Sequence, residues 1–495
     1  MKSATLPSDV QESDLMQPGE TVAEVVDAPN HDIPLRPSPV EADIDDDPER
    51  DHIPCRVLYI LLFVLISLND GMILGYKSSL TGIFTELKVP SQERSLITLI
   101  SLTYIIRMFF APLADKYFVP FIGKRRTYLI PCKIFAFVAY LVGSYFIDEW
   151  VEQKRVIMIC AFLLFVNCIM VLENNALQGL RLDFFGRKFA SSAGASFTIA
   201  SICGVAIGMQ VFTILNSSYA MNKFFNYNQA ILTHRGFFMI LSLMSLAAIP
   251  IQFIIPDIRE RRRSTFVGSN PWRVTQAIFK CKQLWNSTLW NFIGPTLSLS
   301  MKVVFGQYMI AKGLRREDIV VILAGVLIPV SFVANLVWIP VLKSGNIMLK
   351  LWLSVLASVG SQALHSINYM IFDPATNYTQ TCIIVGILVG VDTFCNWFMV
   401  QSTFYLSTAS KKYSVSYIST VNSLFSASRI LPLSIISALI DYVNMPILFF
   451  VCLALQIAYG IFTYETVREI DTHDCRELGL EFESELEKIE EEKNK

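Results

Sequence analysis

The sequence predicts an all-α membrane protein of twelve transmembrane helices in two six-helix halves. Three observations carry that reading. Of 495 residues, 53% are apolar and only 17% are charged, with a mean hydropathy of +0.47, whereas soluble domains are about one-quarter charged. Apolar stretches of the roughly 20 residues needed to cross about 30 Å of hydrocarbon recur along most of the chain. A polar, basic segment near the middle divides these stretches six and six. The same composition excludes a disordered chain and an ordinary cytosolic enzyme, and a net charge of −1 supplies no basic field for nucleic acid. The ten cysteines show neither a CxxC pair nor a regular spacing, so buried thiols are expected and no metal site.

Residues 1–54 are rich in Pro, Asp and Glu, include the run Asp43-Ile44-Asp45-Asp46-Asp47, and read as a disordered tail with no signal-peptide core. The first half, 55–256, holds expected spans at 57–75, 96–114, 128–147, 156–177, 190–215 and 236–255. A linker covers 257–288. The second half, 289–465, holds spans at 289–310, 319–342, 347–372, 381–406, 413–439 and 445–464. The first of these six contains Pro295, Lys302 and Gln307. The chain closes in an acidic segment, 466–495, whose i,i+4 charge spacing predicts a solvated helix.

Lys and Arg concentrate on one set of loops, including Lys116, Lys124, Arg125, Arg126, Arg181, Arg187, Lys188 and the run Arg259-Glu260-Arg261-Arg262-Arg263. The positive-inside rule then places both termini in the cytosol. Two glycosylation sequons, at Asn216 and Asn377, fall on the opposite loops and agree. Six spans, a basic linker and six more spans are the grouping of a rocker-type secondary transporter.

Ionisable groups inside a bilayer are costly and usually face a partner or a cavity. The candidates are Asp70, Lys77, Arg107, Lys133, Glu173, Lys302, Asp392 and Arg429. Arg107, Lys302 and Arg429 would attract an anionic substrate, while Asp70, Glu173 or Asp392 could carry a proton. Asp70 lies in Asn69-Asp70-Gly71-x-x-x-Gly75, whose glycines let helices approach closely. Lys77, Lys133 and Glu173 sit near expected span ends, where long side chains snorkel to the interface. The bland alternative is that these charges pair with one another and hold helices in register. After the second span, Asp115 closes one helix and Gly123-Lys124-Arg125-Arg126 opens the next, a candidate electrostatic latch that must break as the halves rock; a plain topology anchor is the alternative. Nucleotide-binding loops, nucleophile elbows and metal-binding His pairs are missing from the sequence, so no catalytic residue and no cofactor are expected.

Four blocks resemble the acetyl-coenzyme A transporter family of the major facilitator superfamily. They are Ala111-Pro112-Leu113-x-Asp115 with Gly123 to Arg126 and Pro131; Ala176-x-x-Gly179-x-x-Leu182; Lys302 with Gly313 to Asp318; and Tyr417-x-x-x-x-Asn422-Ser423 followed by Pro432. The resemblance implies the major facilitator fold and alternating access. It also implies passage of acetyl-coenzyme A across the endoplasmic reticulum membrane, possible proton symport, and substrate contacts from Tyr417 and Asn422. A different anionic metabolite, muropeptide-like or nucleotide-like, is the alternative. The chain departs from the family in carrying Asn174 and Gln178 where relatives have aspartates, Arg107 in place of a lysine, and Arg429 in place of a glycine. Small anions and the lipid bilayer are the expected partners.

Overall fold

The computed structural model describes residues 56–119, 121–185, 189–255, 273–281, 284–285, 309–310, 313, 315–342, 347–371, 377–395, 403–406, 408–409, 414–439, 442–444, 447–451, 453–455, 457–458, 461 and 475–492. Within these, every long element is helical. The first helix, α1 (Arg56–Glu86), is followed by α2 (Ser91–Leu99), a 3₁₀ turn and α3 (Thr103–Lys116), which together form one span. Next come α4 (Arg126–Glu152), α5 (Val156–Phe185), α6 (Ala190–Val205) with a π turn at Ala206–Val211, α7 (Phe212–Asn216), α8 (Ser218–Phe225) and α9 (His234–Ile254). The later part holds α10 (Arg273–Lys280), α11 (Arg316–Val341), α12 (Ile347–Ile371), α13 (Tyr378–Cys395), α14 (Ser414–Leu439) and α15 (Cys475–Glu492). Among the described residues, seven helices are long and apolar enough to cross a membrane. The protein is an integral, multi-pass membrane protein.

Two helices outrun their expected ends, and the reason is chemical. Polar residues after Gly75 suggest a loop, yet α1 continues to Glu86 because their hydroxyls bond back to the helix itself. Ser78 donates to the carbonyl of Leu74 at 3.3 Å, Thr81 to Lys77 at 3.0 Å and Thr85 to Thr81 at 2.8 Å. A hydroxyl satisfied in this way no longer asks for water. Likewise α5 runs past 177 to Phe185, with Gln178 and Arg181 turned inward. Lys77, Lys133 and Glu173 are therefore buried well inside the bundle, and the expectation that they snorkel is overturned. Arg181, expected on a loop, is only 1% exposed.

The tightest helix contact pairs α1 with α6. A Cβ added at Gly208 would lie 1.9 Å from the Met72 carbonyl oxygen, and one at Gly71 would lie 2.8 Å from the Gly204 Cα. Glycines on both faces thus let the backbones touch, as the Gly71/Gly75 spacing predicts. Beneath this contact Tyr76 is ringed by Phe212, Phe237 and Phe238, with ring centroids 5.2 Å apart in each case, and pairs with His234 Nδ1 at 2.9 Å.

The acidic C-terminal segment also departs from expectation. It forms α15, which lies on α10 with Phe482, Leu486 and Ile489 buried, a stripe at i, i+4 and i+7 that a solvated helix does not need.

Replacing Gly208 with Leu should force α1 and α6 apart and lower stability by about 1–3 kcal/mol or more. Gly360→Ala, at a helical position with open space around it, should not. Thermal unfolding of both variants in detergent checks this. Phe482→Ala should free α15, read as faster protease cleavage within 475–492, because losing a large buried ring costs about 3–5 kcal/mol.

Candidate functional site

The two halves of the chain meet along α14 against α2, α3 and α5, and along α11 against α6. At the end of the bundle that carries the turn after α3, Asp115 is central. Its Oδ1 lies 3.0 Å from Arg125 Nη1, and its Oδ2 accepts from the Ser416 amide at 2.8 Å and the Ser416 hydroxyl at 2.7 Å. Ser416 lies in the first turn of α14, where backbone N–H groups have no partner within the helix and the dipole favours negative charge. A carboxylate from one half therefore caps a helix of the other. Arg125 also holds Asp183 at 2.7 Å. Burial alone would favour the neutral form of Arg125, but Asp183 and Asp115 outweigh it and raise its pKa further above its ordinary high value. Gly123, at φ 113°, makes the turn that brings Arg125 round.

Arg126 does something else. Its guanidinium donates to the carbonyls of Gln252 at 3.2 Å and Ile255 at 2.6 Å, closing the end of α9. Lys124 is half-buried in the same turn.

Deeper in the bundle lies a polar layer. Asp70 Oδ2 accepts from Asn174 Nδ2 at 2.9 Å, Asn174 Oδ1 from Gln178 Nε2 at 2.8 Å, and Gln178 Oε1 from Asn422 Nδ2 at 2.8 Å. Beside this row, Ser419 donates to Asn175 Oδ1 at 2.9 Å, and Asn175 donates to the Arg107 carbonyl at 3.2 Å. Lys133 forms an ion pair with Glu173 at 2.5 Å and also donates to the Ile66 carbonyl at 2.9 Å. Lys77 donates to Asn167 and to Ser101, each at 3.3 Å.

Two cations in this layer are under-satisfied. Arg107 is 5% exposed, and among the described residues its Nε has no hydrogen bond and its guanidinium no carboxylate partner. Arg181 donates from Nη2 to Ser67 and lies between the rings of Phe63 and Phe197, at 5.9 and 5.3 Å, with Nε and Nη1 unsatisfied. Apart from the Asp115 cluster, the described residues of α1, α3, α4 and α5 thus bury four cations (Lys77, Arg107, Lys133, Arg181) but two carboxylates, Asp70 and Glu173.

Asp70, Glu173, Arg107 and Asn422 are brought to one layer. Tyr417 is not: it is fully buried beneath α15, its hydroxyl 2.8 Å from Thr408 Oγ1 and its ring 5.0 Å from that of Phe482. Lys302 lies outside the described residues, as do the side chains of Asp392 and Arg429. Asn174 and Gln178, which the sequence marks only as departures from the family, join this layer, and so does Arg181, which the sequence places on a loop. The spacing of the three, i, i+4 and i+7 on α5, is the signal for Arg181, obscured by the expected helix end at 177.

The opposite end is bridged as well. Ser217 donates to Glu317 at 2.8 Å, Lys223 pairs with Asp318 at 2.8 Å, and Arg316 with Glu86 at 3.3 Å. Polar contacts thus join the halves at both ends. Burial pushes the Asp318 carboxyl upward, but hydrogen bonds from Lys223 and Tyr378 and the charges of Lys223 and Arg315 outweigh it and hold it below the usual carboxylate range.

The same helical arrangement occurs in proteins of known structure. A point mutant of the nucleoside transporter NupG superposes with a TM-score of 0.54 at 12% identity, over 82% of this chain and 99% of its own. The human organic anion transporter MFSD10 (TETRAN) superposes with a TM-score of 0.57 at 12% identity, over 83% of this chain and all (100%) of its own. The chain has the major facilitator fold. No family profile matches it. In sequence it is 22% identical over 189 residues to an uncharacterized protein of Schizosaccharomyces pombe, a match covering 37% of this chain and 36% of that relative. These structural neighbours are transporters rather than enzymes.

Asp115→Ala should weaken closure at the Arg125 end by about 3–5 kcal/mol, the cost of breaking a buried pair from one side. Spin labels at Phe121→Cys and Leu349→Cys would report it as a longer distance. At the other end, the Lys223–Asp318 tie should persist as pH falls from neutral. A depressed carboxylate contributes fully above its unfolded value of about 3.9 and is lost only as pH drops through the lower folded value. Pairwise labels near Tyr219 and Tyr378 should therefore show no change until pH falls below about 4.

Proposed function

We propose that this protein is a secondary active transporter that moves a small anionic solute by alternating access, with the solute held between the two halves at the level of Arg107. The observation that carries the reading is the surplus of buried positive charge, above all Arg107, buried with no counter-ion among the described residues. An unpaired ion in a low-dielectric interior costs several kcal/mol, a cost that an anion recruited during the transport cycle offsets. Arg107, Arg181 and Asn422 are the substrate contacts on this reading, with Lys302 and Arg429 as further candidates. The polar ties at both ends are the gates, and the Asp115–Arg125–Ser416 cluster is the latch of one of them.

Acetyl-coenzyme A is the named candidate, through the motif resemblance and through the fit of its phosphates to guanidinium groups. On that identification the membrane is that of the endoplasmic reticulum, with both termini cytosolic. Coupling to a proton falls to Asp70, whose Oδ1 has no hydrogen-bond partner among the described residues, rather than to Glu173, which is occupied by Lys133. Asp392 remains a second candidate. A different organic anion is the alternative substrate; the likeness to MFSD10 and the amides Asn174 and Gln178 in place of family aspartates favour it.

In proteoliposomes, labelled acetyl-coenzyme A should accumulate, and Arg107→Ala should reduce uptake roughly 10- to 100-fold, the worth of one charge-assisted hydrogen bond. Arg155→Ala, on an exposed turn, should leave uptake unchanged. Equal effects of the two variants would remove Arg107 from the site. A thermal-shift series of coenzyme A esters, nucleotides and other organic anions separates the two substrate readings.

A further inference from the structure

We propose that Asn174, Gln178 and Asn422 are positioning residues that carry the charge state of Asp70, in the first half of the chain, to α14 in the second, so that protonation of Asp70 loosens one gate. The row of three hydrogen bonds, at 2.9, 2.8 and 2.8 Å, has a single polarity. An ionised carboxylate only accepts, so Asn174 must turn its NH₂ group toward Asp70. That leaves the Asn174 carbonyl facing Gln178, which turns its own NH₂ inward. The Gln178 carbonyl then faces Asn422, which donates across the boundary between the halves. Each amide is oriented by the one before it, and the first is oriented by the charge. Hydrogen bonds in such a chain strengthen one another in a low-dielectric interior.

A proton arriving at Asp70 has a vacant position to take. Oδ1 has no hydrogen-bond partner among the described residues, so it can be protonated while Oδ2 keeps Asn174. The end of the row then changes from an anion to a neutral acid. Bonds to an ionised group are about twice as strong as neutral ones, and the loss of polarisation is felt at Gln178–Asn422, the link that crosses between halves. The titratable groups that face Asp70 are Lys133, Cys132 and Tyr140 on α4, Tyr104 on α3, and Glu173 and Arg181 on α5; the charges of Lys133 and Arg181 favour the anion and that of Glu173 opposes it. From α2, α6, α7 and α9, which also pack on α1, no charged side chain among the described residues is one of the groups acting on Asp70.

Asn422 lies on α14 less than two helical turns from the Ser416 cap, so loosening of the row bears on the gate that Asp115 latches. A neighbouring bridge provides an internal control. Ser419–Asn175 also joins the halves, at 2.9 Å, but has no connection to Asp70.

The proposal rests on the transport reading only in needing two gates, and its test does not involve substrate. The distance between spin labels at Phe121→Cys and Leu349→Cys is followed across a pH series in phosphatidylcholine nanodiscs. Acidification should raise the open-to-closed ratio of the wild-type background about fivefold, the worth of one net hydrogen bond. Asp70→Asn should be open-shifted at every pH. Gln178→Met, nearly isosteric but unable to donate, and Asn422→Leu, at the far end of the row, should both lose the pH response. Ser419→Ala should shift the ratio yet keep that response, as a merely structural contact does. Retention of the full pH response in Gln178→Met or Asn422→Leu overturns the proposal, and so does a wild-type protein whose distance ignores pH. Failure of anion uptake with an intact pH response would instead overturn the proposed function and leave the relay standing.

Discussion

Charge inside an apolar bundle must be answered within hydrogen-bonding reach, and the interior of this protein is organised around that requirement. Asp115, Lys133 and Arg125 are buried, and each is placed against an opposite charge or an unsatisfied backbone group. Where the answer comes from the other half of the chain, the charge also holds the halves together. Asp115 does this by capping α14, and Asn422 does so through a row of amides that ends on Asp70. Among the described residues Arg107 and Arg181 are the exceptions, each with guanidinium nitrogens that lack a hydrogen bond, and on the proposed reading they await a ligand.

The two ends that we propose as gates differ in kind. One end is closed by a carboxylate buried between an arginine and a helix terminus, backed by the amide row and Ser419. The other is closed by partly exposed pairs such as Lys223–Asp318, where the lysine side chain is 43% exposed. Exposed pairs are screened and worth little each, whereas buried ones are strong once made and costly to leave half-made. On the proposed transport reading, opening at the Arg125 end needs a compensating event inside the bundle, and a change of charge at Asp70 or at the proposed anion site is such an event. The α15 helix adds a contact of a different nature, resting on α10 by apolar side chains and reaching Tyr417 on α14.

Much of this was legible in one dimension. Hydropathy located the seven spans among the described residues, the glycine spacing after Asp70 announced the close approach to α6, and the charges of Asp115 and Arg125 suggested their pairing. What misled was polarity read locally. Ser78, Thr81 and Thr85 looked like a loop but bond to their own helix; Arg181 looked like a loop anchor but lies between two phenylalanine rings. The acidic tail looked solvated because its apolar residues are outnumbered by glutamates, although the i, i+4, i+7 spacing of Phe482, Leu486 and Ile489 was visible. Tyr417 was grouped with Asn422 by motif, yet the two answer to different neighbours, Phe482 and Gln178.

Taken alone, the chain's residues determine the solvent it folds in and the stock of charges it buries, since both depend on composition and on runs of about twenty side chains. Which charge meets which is a matter of tertiary structure. Asp115 and Ser416 are 301 positions apart, and Gln178 and Asn422 are 244 apart, so no local pattern could have paired them. Only the packing of α14 against α3 and α5 brings those groups within 3 Å, and that packing turns a list of buried polar residues into bridges between the two halves.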